Sequence, residues 1–334
     1  MTMTEIARKA GVSQATVSRV LSGSGAVAPE KREAVLKVAE AAGFQVRRSN
    51  AGDNRNEALG ILMLDASFTN PAIGIRKIES IAANLDSDYG VVLLSSATAA
   101  GALRSTLRRN KIRGLLLIGH QCRDPELRTV IRSLPHVWLN SHQAGDQNMV
   151  LGGNEAAGRL AADYLIKDCG CRTPAVLSLN SANPGFSSRI AGFRFELFSA
   201  MRECIAINAR NTEGFESLSD DEIEKLLDAA ITPETIHLID GLFIPDDRVT
   251  AIFHRLMRRR NVAVTMLPLI VSCNNESEFL TGLYPRPATI DLAPELTAKA
   301  ALTELLHRVK GEKIDEKIAI VVRPELIEGE SIRQ

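Results

Sequence analysis

From Leu59 onward, short apolar runs alternate with helical segments, and this alternation restricts the larger part of the chain to one class of fold. The runs are LGILML (59–64), GVVLLS (90–95), GLLLIG (114–119), HVWLN (136–140), AVLSL (175–179), IHLIDGLFI (236–244), PLIVSC (268–273) and IAIVV (318–322). Helical segments at 73–87, 101–110, 154–168, 189–203, 219–230, 247–260 and 294–310 lie between them. Strands that are apolar throughout are buried on both faces, so the alternation predicts parallel sheets covered by helices. About 275 residues are too many for one such sheet, and two lobes are expected. The first is read as about 59–158 and 289–318, the second as about 159–288 and 319–334. Two open lobes of this kind leave a crevice at the carboxyl ends of their strands, which suits a small molecule.

The first 23 residues, MTMTEIARKAGVSQATVSRVLSG, follow a different pattern. Thr4 is placed to cap a short helix with Ile6 and Ala7 facing inward. Gly11 supplies the left-handed residue for a sharp turn, and Ser13 caps a second helix running to about Leu21. Val12, Val17, Val20 and Leu21 pack back on the first helix, leaving Gln14, Ala15, Thr16, Ser18 and Arg19 facing outward. This is a helix-turn-helix whose second helix enters a DNA groove. A third helix starts at Pro29, shows Val35, Leu36, Val38 and Ala39 on its apolar face, and stops at Gly43. Phe44 plugs the small core. Residues 1–46 are therefore read as an all-α headpiece and 47–58 as a polar linker. The stretch 45–58, at full extension, spans roughly 45–50 Å.

The formal net charge is zero, which conceals an uneven distribution. Residues 1–58 hold nine Lys and Arg against six Asp and Glu, so the basic excess lies where DNA phosphates would need it. The excess is modest, so non-specific DNA affinity should be weak and salt-dependent. Five scattered cysteines argue against a disulfide framework, and the Cys169–Cys171 pair lacks the second pair or histidines of a zinc site. No leader pattern or apolar run long enough to cross a membrane is evident, so a cytoplasmic protein without membrane partners is expected. No catalytic motif stands in a supporting context, and no metal or cofactor is expected.

AGVSQATVSRVLSG, together with SSRIAGFRFEL (187–197), Asp246–Asp247, PRPATIDL (285–292) and PELIEGES (324–331) in that order, resembles the LacI/GalR family of bacterial transcriptional regulators. The resemblance covers nearly the whole chain and is most specific in the first segment. It implies a helix-turn-helix headpiece, a hinge, and a periplasmic-binding-protein-like core that forms a homodimer and binds a small-molecule effector. It also implies double-stranded, pseudo-palindromic operator DNA as a partner. Gln14, Ala15 and Arg19 then stand where the family reads bases, which suits adenine, a thymine methyl and guanine respectively. Thr2, Ser13, Thr16, Ser18 and Ser22 suit phosphate contacts that fix orientation.

In the core, Arg189 matches the family's ligand-binding arginine, whose fork can hold two sugar hydroxyls or a carboxylate. Asn70, Asn140, Asp246 and Asn274 follow expected strands and complete a polar effector pocket. Phe68, Phe186 and Phe215 are candidates to stack on a sugar ring, whereas Trp138 belongs to the core. Arg258, Arg259 and Arg260 suit a solvated helix C-terminus.

Two departures from the family pattern stand out. The linker has no leucine before Leu59, with Val46 and Ala51 its only apolar residues for a minor-groove wedge, so the usual hinge helix is not expected. The cleft has Ser272, Cys273, Asn274 and Asn275 where many members have glycine, an aromatic and two aspartates. The expected function is a sequence-specific transcriptional regulator, a repressor, controlled by a sugar or sugar derivative. A purine- or nucleoside-responsive regulator remains open, as does, in another class, a cytoplasmic solute-binding or carbohydrate-active protein.

Overall fold

The computed structural model describes residues 57–64, 71–95, 99–119, 122–140, 148–181, 183–211, 214–312 and 317–330, with scattered residues between Ala7 and Val38 before them. The chain divides into two units, residues 1–55 and 56–334.

In the first unit, Ala7, Val17 and Val35 are buried, at 6%, 0% and 0% exposure, and each belongs to a different helical stretch. Three small apolar residues from three helices make the described core of the headpiece. Gly11 has a φ of 64°, in the left-handed region expected for the turn. The Val12 amide donates to the Ala7 carbonyl at 3.0 Å, closing the first helix onto that turn.

The larger unit runs β1 (Glu57–Met63), α1 (Pro71–Asn84), β2 (Tyr89–Ser95), α2 (Ala100–Arg109), β3 (Ile112–Ile118), α3 (Pro125–Arg132), β4 (His136–Leu139) and β5 (Met149–Gly152). It continues through α4 (Asn154–Asp163), β6 (Pro174–Leu179), α5 (Pro184–Ser199), β7 (Ile205–Ala209), α6 (Asp220–Ala230), α7 (Pro233–Leu238) and β8 (Gly241–Phe243). The last elements are α8 (Asp247–Arg259), β9 (Leu269–Cys273), α9 (Ser277–Leu280), β10 (Ala288–Asp291), α10 (Pro294–Val309), β11 (Ala319–Val322) and β12 (Glu325–Ile327). A π-helical turn, Tyr164–Asp168, prolongs α4.

The strands form two six-stranded sheets, ordered β11-β5-β4-β3-β1-β2 and β12-β10-β9-β8-β6-β7. Every pairing is parallel except β10 with β12. Side chains alternate in the first sheet: Leu59, Ile61 and Leu116 enter one apolar layer, and Leu62, Leu115 and Leu117 the other. Both faces are covered, which explains why these strands are apolar throughout.

Three expectations are corrected. IHLIDGLFI is not one strand: Thr232 caps a helix with Pro233 at its first position, so 233–238 are helical and only Gly241–Phe243 pairs. The return crossing expected at Thr289 comes later, because β10 belongs to the second sheet and α10 packs on the first. Residues 319–322, expected in the second lobe, form the edge of the first sheet against β5. In addition, β1 starts at Glu57, inside the stretch read as linker. The chain therefore passes between the sheets three times, after β5, after β10 and after β11.

Candidate functional site

The sequence places the expected function in two regions. In the headpiece, Ser13 caps the second helix as expected: its Oγ accepts from the Thr16 amide at 3.2 Å and lies 2.9 Å from Thr16 Oγ1. Its carbonyl also accepts from the amides of Thr16 and Val17. Ser13 is exposed and Thr16 half-buried, so both hydroxyls sit at the positive end of this helix, where a phosphate oxygen is favoured. Thr2, Gln14, Ala15, Ser18, Arg19 and Ser22 lie outside the described residues, as do Val46 and Ala51.

The second region lies at the carboxyl ends of the second sheet. Arg189, on α5, is 6% exposed. Its Nε donates to Asn154 Oδ1 at 2.9 Å and its Nη1 to the Pro245 carbonyl at 2.7 Å. Asn154, at the start of α4, donates in turn to the Gly152 carbonyl. The guanidinium thus joins α5, α4 and the β8–α8 loop, while its Nη2 donates to no described group.

Asp246 caps α8, accepting from the Val249 amide at 3.1 Å, and Asn274 Nδ2 reaches its Oδ2 at 3.4 Å. The same Nδ2 lies 2.9 Å from Glu276 Oε2. Exchanging the amide's two ends would set an oxygen against two carboxyl oxygens, so this orientation is fixed. Asn274 Oδ1 is buried and has no hydrogen-bond partner among the described residues. Asn274 and Asn275 both adopt positive φ, 117° and 54°, and Asn140 likewise, at 62°. Asparagine tolerates this region better than most side chains, which accounts for its use where the chain turns sharply after a strand.

Beneath these groups lies a fully enclosed carboxyl. Asp247 Oδ1 accepts from Ser272 Oγ and, at 3.0 Å, from Thr289 Oγ1; Oδ2 accepts from the Glu276 amide at 2.7 Å. Burial pushes the Asp247 carboxyl well above its ordinary range, with Glu276 and Asp246 adding to the effect. Burial raises Asp246 as well, partly offset by the Val249 amide and the Arg189 charge. It also pushes the Cys273 thiol up to about 12, so this cysteine is no nucleophile.

The sequence pointed to Arg189, Asp246, Asn274 and Asn140, each placed after a strand or on the neighbouring helix as described; Asn70 and Phe68 fall outside the described residues. It missed Asn154, Asp247, Glu276 and Thr289, which hold the named residues in place. Asp247 was visible as the second member of the Asp246–Asp247 pair. Phe186 and Phe215 do not present themselves to a ligand: they are 4% and 5% exposed and pack on each other, ring centroids 5.0 Å apart. Trp138 is core, as expected. Arg259 and Arg260 are not merely solvated, since they pair with Glu224 and Asp228 of α6.

Residues 2–46 match the lacI family of bacterial regulatory proteins, and residues 162–332 the periplasmic binding protein-like domain. The chain thus combines a lacI-family regulatory domain with a periplasmic binding protein-like domain. Members of the lacI family are DNA-binding transcriptional regulators and not enzymes. The ribose operon repressor of Haemophilus influenzae is 25% identical over 347 residues, spanning 99% of this chain and 98% of the repressor. Among solved structures, the transcriptional regulator CelR in complex with cellobiose is similar, with a TM-score of 0.64 and 22% identity over 99% of both chains. So is the lac repressor dimer bound to operator and the anti-inducer ONPF, with a TM-score of 0.62 and 18% identity over 99% of this chain and 98% of that one.

The two described regions differ in chemistry. The headpiece offers a capped helix end. The second sheet offers a preformed set of buried polar groups. No helix among the described residues is long and apolar enough to cross a membrane, and they contain no group of three or more His, Cys, Asp or Glu placed to hold a metal ion.

Proposed function

We propose that this lacI-family regulator binds a pseudo-palindromic operator as a homodimer and responds to a sugar or sugar derivative held at the carboxyl ends of its second sheet. The observation that carries the ligand reading is Asn274 Oδ1, a buried acceptor with no partner among the described residues, set beside the Arg189–Asp246 group. Such an acceptor is costly when left dry and suits a ligand hydroxyl. Asn70, Asn140, Arg189, Asp246 and Asn274 are the proposed contacts. The ribose and cellobiose in the names of similar proteins support the sugar class.

Phe186 and Phe215 are used up against each other, which removes the aromatic clamp that a purine reading would want. Ligand closure shifts operator affinity only by the ligand's own preference between the two conformations. Operator reading is assigned to Gln14, Ala15 and Arg19, with Thr2, Ser13, Thr16, Ser18 and Ser22 on phosphates.

Thermal-shift screening against ribose, cellobiose and other sugars, beside nucleobases, tests the ligand class, because a bound ligand raises the melting temperature by mass action. Selection of duplexes followed by gel shift tests the regulator reading. A chain that selects no sequence with or without ligand would overturn it.

A further inference from the structure

The amino end of the first sheet carries a pocket of its own. The amino ends of β1 and β3, with α2 and α3, border an open pocket of about 580 Å³. Its rim holds four cations, Arg104 and Arg108 from α2, Lys111 from the turn after it and Arg113 from the start of β3, against one carboxylate, Glu57. All five are exposed. Beneath them the floor is apolar: Leu107, Ile112 and Val130 are buried at 6%, 5% and 1% exposure.

Ordinary helix electrostatics explains one of the four. Arg108 lies in the last turn of α2, where a cation offsets the negative end of the helix. Arg104 sits earlier in the helix, Lys111 in the turn, and Arg113 on the strand, so three different elements bring like charges to one concavity. Only Arg113 has an acidic partner among the described residues, Glu57 at 3.4 Å, and that pair is about half exposed, too wet to neutralise the group. Lys111 also occupies a left-handed position, φ 50°, where glycine would sit without strain. Lys111 thus brings its charge to the rim from a position that glycine would occupy at lower cost.

We propose that this cavity is a second ligand site, which takes a small phosphorylated metabolite carrying at least two negative charges. Guanidinium forks and an ammonium at the rim match phosphate oxygens, and the apolar floor takes the carbon skeleton. The volume falls within the range of small-molecule sites. This site lies at the amino ends of strands of the first sheet and the proposed sugar site at the carboxyl ends of the second, so the two can be occupied independently.

The test uses the full chain, with inorganic pyrophosphate as the probe, titrated by calorimetry at about 0.05 M and 0.2 M salt. Saturable binding is expected, weaker at the higher salt. The double variant Arg104→Gln/Lys111→Gly should bind pyrophosphate roughly tenfold or more weakly. Its melting temperature should be unchanged or higher, since glycine suits position 111; Arg113→Gln gives a second, independent loss. Absence of saturable binding overturns the proposal, and so does equal affinity in wild type and both variants. If the variants instead lose non-specific duplex binding with pyrophosphate affinity unchanged, the cations serve the DNA backbone and the metabolite site is wrong.

Discussion

A Cβ added to Gly158 would overlap the carbonyl oxygen of Arg189, so α4 and α5 cross with their backbones in direct contact. The same holds on the other side of the crossing, where a Cβ on Gly192 would overlap the Glu155 carbonyl. This approach brings Asn154, at the start of α4, within reach of the Arg189 guanidinium. The positioning of the cleft arginine therefore depends on two hydrogen atoms standing where side chains would.

Gly158→Ala and Gly192→Ala should each destabilise the core by about 1–3 kcal/mol, the usual cost of forcing extra atoms into packed backbone. The double variant should cost less than the sum, because the first substitution already separates the helices. Urea unfolding checks both statements. Two single variants within about 0.5 kcal/mol of wild type would mean a looser crossing.

Arg189→Met should cost about 1–3 kcal/mol for each acceptor it strands, Asn154 Oδ1 and the Pro245 carbonyl, and should abolish any sugar-induced rise in melting temperature. Arg189→Lys should not restore ligand response, since an ammonium cannot reproduce the fork. Comparing melting curves with and without ribose or cellobiose separates the structural loss from the binding loss.

Asp247 sets the behaviour of stability on the alkaline side. Its carboxyl is raised in the folded chain, so the folded state holds a proton that the unfolded state has released. The stability this contributes is fully present below the ordinary carboxylate range and is lost as pH rises through the raised value. Asp247→Asn should flatten that decline. Asn can accept from the Glu276 amide through its oxygen while its amino group faces Ser272 and Thr289, whose hydroxyls can turn to accept. Urea midpoints measured from about pH 4 to 8 read the difference.

His254 acts in the opposite direction. Burial lowers its pKa from 6.5 to about 4, with the Arg258 charge contributing. Its Nε2 is buried without a hydrogen-bond partner among the described residues. The neutral ring is favoured in the folded chain, so its contribution is present above the ordinary histidine range and fades as pH falls through about 4. His254→Leu should remove that acid-side slope in urea midpoints and leave the alkaline side unchanged.

Ser13→Ala should lower headpiece stability by about 1 kcal/mol through loss of the cap on the second helix. Duplex affinity should fall with it, and Ser13→Asp should keep the cap while repelling phosphate. Headpiece melting beside gel-shift affinity distinguishes the two effects.

What the sequence revealed was local. Gly11 and Ser13 could be placed because a turn and a cap are each decided within a few residues. The buried strands could be recognised because covering both faces leaves an apolar run. Thr232-Pro233-Glu234 was an equally local helix signal, hidden by the apolar residues that follow it. The assignment of 319–322 and 325–327 to different sheets was not legible, since two short neighbouring runs carry no mark of their partners. Asn154 and Gly158 matter only through α5, about thirty residues away, and Asp247 only through Ser272, Glu276 and Thr289. The Asp246–Asp247 pair showed that a carboxyl was needed there, but not which of the two would be sealed in.

The three passages of the chain between the sheets have a consequence for synthesis. Five of the six strands of the first sheet have been made by residue 152, yet α10 and β11, which cover and complete it, come at 294–322. The whole second sheet except β12 is translated in the interval. Neither sheet can close before β11 and β12 are made, so an incomplete polypeptide exposes apolar surface until residues 319–327 emerge. Polypeptides released early should accordingly be clients for chaperones and proteases, and should not persist as free half-proteins competing for operator.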